Sequence, residues 1–323
     1  MKIVYHKNEW DEKAVMATIG FFDGVHPGHR FLLREMQSLA KERGIPTAVI
    51  TFPVHPRVVM NAEYQPKLLN SLDEKLNLLS KTGIDFVIVM DFTPAVAAMS
   101  AYEFITSVLI PELHVRTLFV GFNHRFGYQG SEGFEPFIRD GKVHGMEVIK
   151  MPSFCNDNGI VVSSSVVRRL IEKGDVTTAA RLLGYHYQLK GCVIEGNRIG
   201  QMMGFPTANI RIDEPYKVIP KAGSYAVRII LHERNFYGML YIGLRQTIGM
   251  DDTLHIEVNI FDFSEDIYNK TIIVEFLSFL REDEKFESLD ELREQITLDK
   301  QQAEAIGADW QRQRCRCYLT EYD

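Results

Sequence analysis

The stretch from Thr18 to Arg30 reads Thr-Ile-Gly-Phe-Phe-Asp-Gly-Val-His-Pro-Gly-His-Arg. It joins a predicted strand to a predicted helix. Residues 14–22 are mostly apolar and form a short run, which is typical of a buried strand. Residues 30–43 place apolar side chains at the spacing of one helix face. The pattern predicts a strand, a loop and a helix, in that order.

The loop between this strand and this helix has the features of a phosphate-binding site. Backbone N–H groups at a helix start attract anions, the helix dipole adds positive potential, and glycines such as Gly24 and Gly28 leave room for a ligand. His26 and His29 add side-chain donors. His-x-Gly-His in this context resembles the nucleotidyltransferase superfamily, which transfers a nucleotide from a triphosphate with loss of pyrophosphate. The alternative is a structural histidine pair at an ordinary α/β junction.

Composition narrows the class of protein. The chain has 323 residues, which favours two domains, and 46% of them are hydrophobic, enough for sizeable cores. A net charge of −7 argues against a nucleic acid or an anionic membrane as the main partner. The four cysteines show no Cys-x-x-Cys spacing, so neither a zinc site nor a disulfide framework is indicated. No run has the length of a signal or membrane-spanning segment. We expect a cytoplasmic protein with small-molecule partners, of undetermined oligomeric state.

From residue 14 to about 184, short apolar runs alternate with helical patterns. Capping boxes at Ser71 and Ser100 predict the starts of two helices. The alternation predicts an α/β domain, a doubly wound and mostly parallel sheet with helices on both faces. Ligands bind such sheets at the carboxyl ends of the strands. Further strands are expected at 47–52, 85–92 and 115–121.

Polar clusters follow these predicted strands. Residues 51–57 follow the second strand, and residues 121–127 follow the strand that ends near Val120. Residues 163–169 have the pattern of a helix start, with serines as caps and arginines beyond them. Each cluster taken alone has a simpler interpretation as a turn or cap with solvated charges.

Together, the motifs resemble the adenylyltransferase domain of bacterial bifunctional riboflavin kinase/FAD synthetases. The family's Gly-x-Phe-Asp-Gly-x-His-x-Gly-His loop is matched from Gly20 to His29. Its Phe-x-Pro-His-Pro segment is matched at 52–56 with one residue shifted, and its glycine-asparagine element at 121–127. Its Ser-Ser-Thr-x-Ile-Arg element is matched from Ser163 to Arg168. The resemblance implies catalytic roles for His26 and His29. It assigns nucleotide binding to Gly20, Phe22, Asp23, Gly24, Gly28, Asn123, Ser164 and Arg168.

After Gly184 the pattern changes to strands without intervening helices. Residues 223–231 and 236–242 predict a hairpin with a turn at 233–235, and further strands are expected at 253–263 and 271–279. Such a succession predicts a small closed antiparallel β-barrel, followed by a C-terminal helix that begins at the capping box of Ser288. We therefore expect domains at 1–184 and 185–323.

The second half carries its chemistry in the segment from Gly204 to Asn209, which reads Gly-Phe-Pro-Thr-Ala-Asn. Thr207 and Asn209 offer hard oxygen atoms one residue apart, which suits Mg²⁺ with phosphates and waters completing its shell. An ordinary turn has a similar composition. The segment resembles the signature of riboflavin kinase domains, which implies nucleotide binding by Gly204, Pro206, Thr207 and Asn209, and metal binding by Thr207 and Asn209.

Other matches to that domain continue through the second half. Glu257 matches the family's catalytic glutamate, although most strand glutamates are simply solvated. Gln246 stands where the family usually has proline, Asn259 where it has histidine, and Asn269 where it has glycine. The resemblance covers about residues 14–300.

The resemblance implies a bifunctional enzyme that phosphorylates riboflavin with ATP to FMN and then adenylylates FMN with ATP to FAD, with Mg²⁺ as cofactor. Glu257 would act as a base for the riboflavin hydroxyl. Two alternatives are a riboflavin kinase whose front domain is degenerate or accepts another acceptor phosphate, and a non-enzymatic flavin or nucleotide sensor. The intact histidine pair argues against a degenerate front domain.

Overall fold

The computed structural model describes residues 1–5, 9–61, 63–122, 134–155, 159–196, 204–245 and 253–320. The chain divides into two compact units, Met1–Ser164 and Ser165–Asp323. None of the helices in these described ranges has the length and apolarity needed to cross a membrane.

The first unit contains one parallel six-stranded sheet with the strand order β1-β4-β3-β2-β5-β6. Its strands are β1 (Lys2–Val4), β2 (Val15–Ile19), β3 (Thr47–Thr51), β4 (Phe86–Val89), β5 (Val115–Val120) and β6 (Glu147–Lys150). Its helices are α1 (Pro27–Arg43), α2 (Pro56–Met60), α3 (Leu72–Ser80), α4 (Pro94–Ala98), α5 (Ala101–Phe104), a π-helical turn at Ile105–Leu109, and α6 (Phe134–Val143).

Helices cover both faces of the sheet. Successive residues of a strand point to opposite faces, so neighbouring residues pack in different cores. Met16 of β2 packs in one core with Leu33 and Met36 of α1. Its neighbour Ala17 packs in a second core with Phe104 of α5. The predicted doubly wound α/β domain is therefore confirmed.

Some element boundaries differ from the predicted ones. Helix α1 begins at Pro27 rather than Arg30, because proline suits the first helical position, where its missing N–H costs nothing. The capping boxes of Ser71 and Ser100 are both present, at the starts of α3 and α5. Strand β1 has three residues at the edge of the sheet, too few for a detectable alternation.

The second unit is built around a closed barrel with the strand order β10-β11-β8-β7-β12-β9. Its strands are β7 (Gln188–Ile194), β8 (Ala208–Arg211), β9 (Gly223–Leu231), β10 (Arg234–Arg245), β11 (Thr253–Ile260) and β12 (Thr271–Glu282). Its helices are α7 (Ser164–Glu172), α8 (Val176–Leu183) and α9 (Leu289–Thr320). The predicted antiparallel barrel and C-terminal helix are confirmed.

The predicted hairpin is present, but its turn is not at 233–235. Strand β10 begins at Arg234, and the turn consists of His232 and Glu233, with φ of 47° and 64°. Two residues of positive φ match the right-handed twist of the flanking strands, which is why such tight turns are favoured in hairpins.

Helix α9 packs along the outside of the barrel through one stripe of side chains. Ala303, Ile306 and Trp310 lie in one hydrophobic cluster with Ala226 of β9 and Leu277 of β12. The spacing of the three helical residues places them on the same side of α9. The C-terminal helix is therefore part of the core of the second unit.

Candidate active sites

The three strand ends expected to carry polar clusters are neighbours in the sheet. Strand β2 lies between β3 and β5, and the strand order reverses at this point, because β3 and β4 continue to one side and β5 and β6 to the other. Such a reversal leaves a crevice at the carboxyl ends of the strands, where ligands bind. The loop after β2 opens at this crevice. Asn123, which follows β5, lies outside the described residues.

This loop, residues 20–26, has a constrained backbone. Phe22, Gly24 and Val25 have φ of 56°, 83° and 36°. Positive φ costs a β-branched residue such as valine on the order of 1 kcal/mol or more, and such strain collects at functional sites. Gly20 begins the loop, and an added Cβ there would lie 3.1 Å from the Phe22 ring.

Asp23 and Ser164 hold the loop in this conformation. The Asp23 carboxylate is buried and accepts hydrogen bonds from the backbone N–H groups of Leu69, at 2.8 Å, and Asn70, at 3.2 Å. The Ser164 hydroxyl donates to the Asp23 carbonyl oxygen at 2.8 Å. The loop is therefore held by hydrogen bonds between Asp23 and two residues, Leu69 and Ser164, that lie 46 and 141 positions from it in the sequence.

The two histidines lie against each other at the start of α1. His26 is the residue before the helix, His29 lies in its first turn, and the ring centroids are 3.7 Å apart and stacked. Phe22 packs on His29 with ring centroids 4.9 Å apart. A Cβ at Gly28 would lie 3.1 Å from the His26 ring, so a larger residue there would have to displace the ring by a few tenths of an ångström.

Both imidazoles are uncharged at neutral pH. The pKa of His26 is lowered from 6.5 to about 4, mainly by burial and to a smaller extent by the positive charge of Arg30. Burial also lowers the pKa of His29 well below its ordinary value, helped by the nearby His26 and Lys75. The Nδ1 atoms of both rings are buried and have no hydrogen-bond partner within the described part of the chain. Neutral rings with uncommitted nitrogen atoms can accept or donate a hydrogen bond to a ligand.

Lys75 of α3 belongs to this site, and the sequence interpretation missed it. Its side chain is only 2% exposed, and its ammonium donates to the Phe21 carbonyl oxygen, the Thr51 hydroxyl and the Phe52 carbonyl oxygen. A detectable signal existed, because Lys75 falls on the same helix face as the apolar Leu72 and Leu79. A charge on the buried face of an amphipathic helix indicates a specific partner.

Arg168 lies on α7, one helical turn beyond Ser164. Helix α7 and helix α8 belong with the barrel unit: the backbone N–H of Lys221 donates to the Ile171 carbonyl oxygen at 3.4 Å, and the Thr177 hydroxyl donates to the Leu277 carbonyl oxygen at 3.3 Å. The role of Arg168 in adenylyl transfer stays a prediction.

A second site lies on the barrel, where β8 pairs with β11. Asn209 is directly opposite Glu257 in this antiparallel pair. The Thr207 hydroxyl donates to a Glu257 carboxylate oxygen at 3.2 Å, and both side chains are half-buried. Residues predicted from separate motifs, 50 positions apart, are thus brought together.

The turn before β8 is held by its surroundings. The Asn259 side-chain amide donates to the Pro206 carbonyl oxygen at 2.6 Å, which gives a function to the asparagine that stands in the family's histidine position. Gly204 has a φ of 85°. A Cβ at Gly196 would lie 1.8 Å from the Asn209 amide nitrogen, so this glycine makes room for Asn209.

Two other positions depart from the family pattern, Asn269 and Gln246. Asn269 has a φ of 61°, the left-handed region in which asparagine is the side chain best tolerated after glycine. It therefore keeps the backbone conformation that glycine would allow. Gln246 lies outside the described residues.

The donor atoms near Thr207 fit Mg²⁺. Thr207 and Asn209 provide hydroxyl and amide oxygens, the hard ligands that this ion prefers. No cluster of three or more histidine, cysteine, aspartate or glutamate residues occurs in the described ranges. Mg²⁺ in phosphoryl-transfer sites needs only one or two protein ligands besides phosphate oxygens, so the set is sufficient.

Comparison with known proteins finds one family match in each half of the chain. Residues 8–166 match the FAD synthetase family, and residues 183–307 match the riboflavin kinase family. Two relatives, each a bifunctional riboflavin kinase/FMN adenylyltransferase, come from Haemophilus influenzae and Listeria monocytogenes. The first is 38% identical and the alignment covers 90% of this chain and 93% of the relative; the second is 35% identical, with 93% and 95% covered.

A solved structure described as a macrolide-efflux protein from Streptococcus pneumoniae is also similar. It is 28% identical, with a TM-score of 0.81, and the match covers 92% of this chain and 96% of that one. Two family matches in one chain favour two activities over a single kinase or a sensor. The chain belongs to the family of bifunctional riboflavin kinase/FMN adenylyltransferases, and it is an enzyme that makes FMN from riboflavin and FAD from FMN.

Proposed function

We propose that the two reactions take place at two separate sites, adenylyl transfer at the loop of residues 20–26 and phosphoryl transfer beside Glu257. The buried, stacked pair of neutral imidazoles at the head of α1 is the observation that most strongly supports the first assignment. The contact between Thr207 and Glu257 most strongly supports the second.

In the adenylyl step, the attacking group is the phosphate of FMN, which is already ionised at neutral pH. No base is therefore required. The barrier comes from bringing two anions together and from charge that builds on the departing pyrophosphate, so the site needs donors aimed at those oxygens. His26 and His29 would donate as neutral rings, which cost less to bury than imidazolium ions. The backbone amides near Gly28 and the guanidinium of Arg168 would add further donors.

In the kinase step, the attacking group is the 5′-hydroxyl of riboflavin, a weak nucleophile. Glu257 would accept its proton as it attacks the γ-phosphorus of ATP. Thr207 and Asn209 would hold Mg²⁺, which when bound offsets the charge of the ATP phosphates. The hydrogen bond from the Thr207 hydroxyl would orient the Glu257 carboxylate for this proton transfer.

The predicted division into domains 1–184 and 185–323 stays a proposal. The family matches end at 166 and begin again at 183, so helices α7 and α8 fall largely between them. A cytoplasmic location and the lack of nucleic-acid or membrane partners also stay predictions from composition.

A product assay tests the two-site proposal. Purified protein is incubated with riboflavin, ATP and Mg²⁺, and FMN and FAD are separated by chromatography. The His29→Ala variant is expected to lose FAD formation and to keep FMN formation, because the sites belong to different units. His144→Ala, an exposed histidine of the same unit, is the control and should form both products. If both activities fell in His29→Ala without unfolding, the two sites could not be separate.

A further inference from the structure

Lys75 is an unusual residue for the position it occupies. It lies in the middle of α3, with Leu76 and Leu79 buried beside it, and its side chain is almost fully removed from water. The ammonium group is also 4.0 Å from the centroid of the Phe21 ring, a favourable cation–π contact. Phe21 lies in the loop of residues 20–26 that follows β2.

The hydrogen bonds of Lys75 connect two strand ends. Its ammonium donates to the Phe21 carbonyl oxygen at 3.0 Å, at the end of β2. It donates to the Thr51 hydroxyl at 3.1 Å and to the Phe52 carbonyl oxygen at 2.9 Å, at the end of β3. The Thr51 hydroxyl in turn donates to the Phe21 carbonyl oxygen at 3.2 Å. One buried cation thus ties together the backbones that open the crevice.

These three bonds leave Lys75 no donor for a substrate. A lysine ammonium has three N–H groups, and each has a protein acceptor here. Direct contact with a phosphate would require one of these bonds to break. Lys75 therefore acts on the site through the loop and through its charge.

Keeping an ammonium group at this position is unfavourable for the fold. Burial lowers the pKa of Lys75 to about 8, against the opposing effect of the Asp23 carboxylate. An apolar side chain such as methionine would avoid the desolvation cost. Groups retained in spite of such a cost are concentrated at functional sites.

We propose that Lys75 is a positioning residue for adenylyl transfer, which fixes the histidine loop on the ends of β2 and β3 and places its positive charge near His29. This inference rests on the proposed adenylyl site. The charged and titratable groups that act on Lys75 and His29 are Asp23 and His26, and neither can replace the hydrogen bonds that Lys75 makes to the strand ends.

Lys75→Met tests the proposal, with Lys81→Met as a matched control at the exposed end of the same helix. In Lys75→Met, kcat for FAD formation from FMN is expected to fall about 100-fold, the effect of a displacement on the order of 1 Å in a catalytic loop, with a smaller change in KM. FMN formation from riboflavin should stay unchanged in both variants. Unchanged FAD formation in Lys75→Met would overturn the proposal.

A second measurement separates positioning from simple structural support. Carbon-13 NMR of the histidine rings should show His29 titrating at higher pH in Lys75→Met, because a neighbouring positive charge has been removed. A folded variant with slow FAD formation but an unchanged His29 titration would overturn the electrostatic part of the role.

Thr51→Val covers the case in which Lys75→Met does not fold. This variant retains the lysine but removes one acceptor, and FAD formation should fall by about 10-fold, in proportion to a partial loosening of the loop. A normal rate in Thr51→Val, together with an unfolded Lys75→Met, would reduce Lys75 to a folding role and overturn the proposal. His29→Ala run in parallel keeps the two hypotheses apart, because its loss of FAD formation tests the site and not Lys75.

Discussion

At the scale of single residues, burial controls the chemistry of both candidate sites. His26 and His29 would each carry a charge for part of the time in water near neutral pH, and burial against each other and against Phe22 keeps them neutral. Glu257 is instead half-buried on a strand and held by the Thr207 hydroxyl. These different surroundings suit the histidine pair to hydrogen bonding and the carboxylate to proton transfer.

The buried histidines predict that acid destabilises the first unit. The folded-state pKa of His26 is about 4 and its ordinary value is 6.5, so between these pH values the unfolded chain binds more protons than the folded one. The free energy of unfolding therefore falls as pH falls through this window, by about 3 kcal/mol from His26 once pH is below 4.

Urea unfolding at pH 7 and pH 5 measures this effect through the fluorescence of Trp10, in a Trp310→Phe background that removes the only other tryptophan. His26→Asn is the comparison, and its stability should change less between the two pH values. An equal pH dependence in both proteins would show that His26 is not the buried titrating group.

Glu257→Gln is predicted to lower kinase turnover by about 100-fold, the typical contribution of a positioned general base. ATP binding should be retained, because the amide keeps the shape of the side chain and its contact with Thr207. Turnover is measured as FMN formation from riboflavin, and ATP affinity by calorimetry. Glu265→Gln, an exposed glutamate of the same unit, serves as the control. Near-normal turnover would remove Glu257 from the role of base.

At the scale of elements, Trp310 links α9 to a polar network on the barrel. The Trp310 ring N–H donates to His186 Nε2 at 3.0 Å, and the guanidinium of Arg228 lies 4.5 Å from the ring centroid. Arg228 is itself paired with the buried Glu275, which also accepts a hydrogen bond from the Gln188 side chain at 2.7 Å. The helix, three strands and a buried ion pair are thus joined in one network.

Trp310→Ala is therefore predicted to destabilise the second unit by about 2 kcal/mol, through loss of a half-buried aromatic ring and its hydrogen bond. Thermal unfolding followed by circular dichroism measures the change. Leu298→Ala on the same helix is the control, since Leu298 is 51% exposed and should have little effect. Equal stability of the two variants would mean that Trp310 contributes little to the stability of the second unit.

At the scale of the whole molecule, the chain consists of two units, and each unit carries its own candidate catalytic groups. The histidine loop and Lys75 lie within Met1–Ser164, and Thr207, Asn209 and Glu257 lie within Ser165–Asp323. FMN is the product of one reaction and the substrate of the other. The two activities should therefore be separable by mutation and recoverable by mixing.

A mixing experiment tests this separation. Glu257→Gln and His29→Ala are each expected to make little or no FAD from riboflavin, one because it lacks FMN and the other because it cannot adenylylate it. An equimolar mixture should make FAD, after a lag while FMN accumulates in solution. A mixture that makes FMN but no FAD would show that FMN released by one molecule is not used by another.

The sequence by itself determined the two fold classes, most of the strands and helices, and the motifs at both sites, because periodicity, capping boxes and glycine loops are local patterns. Tertiary structure alone decided the rest. The pairing of Thr207 with Glu257, the support of Asp23 by Ser164 and the burial of Lys75 join residues far apart in sequence. Such contacts depend on which elements become neighbours when the sheet and barrel close, and no local pattern contains that information.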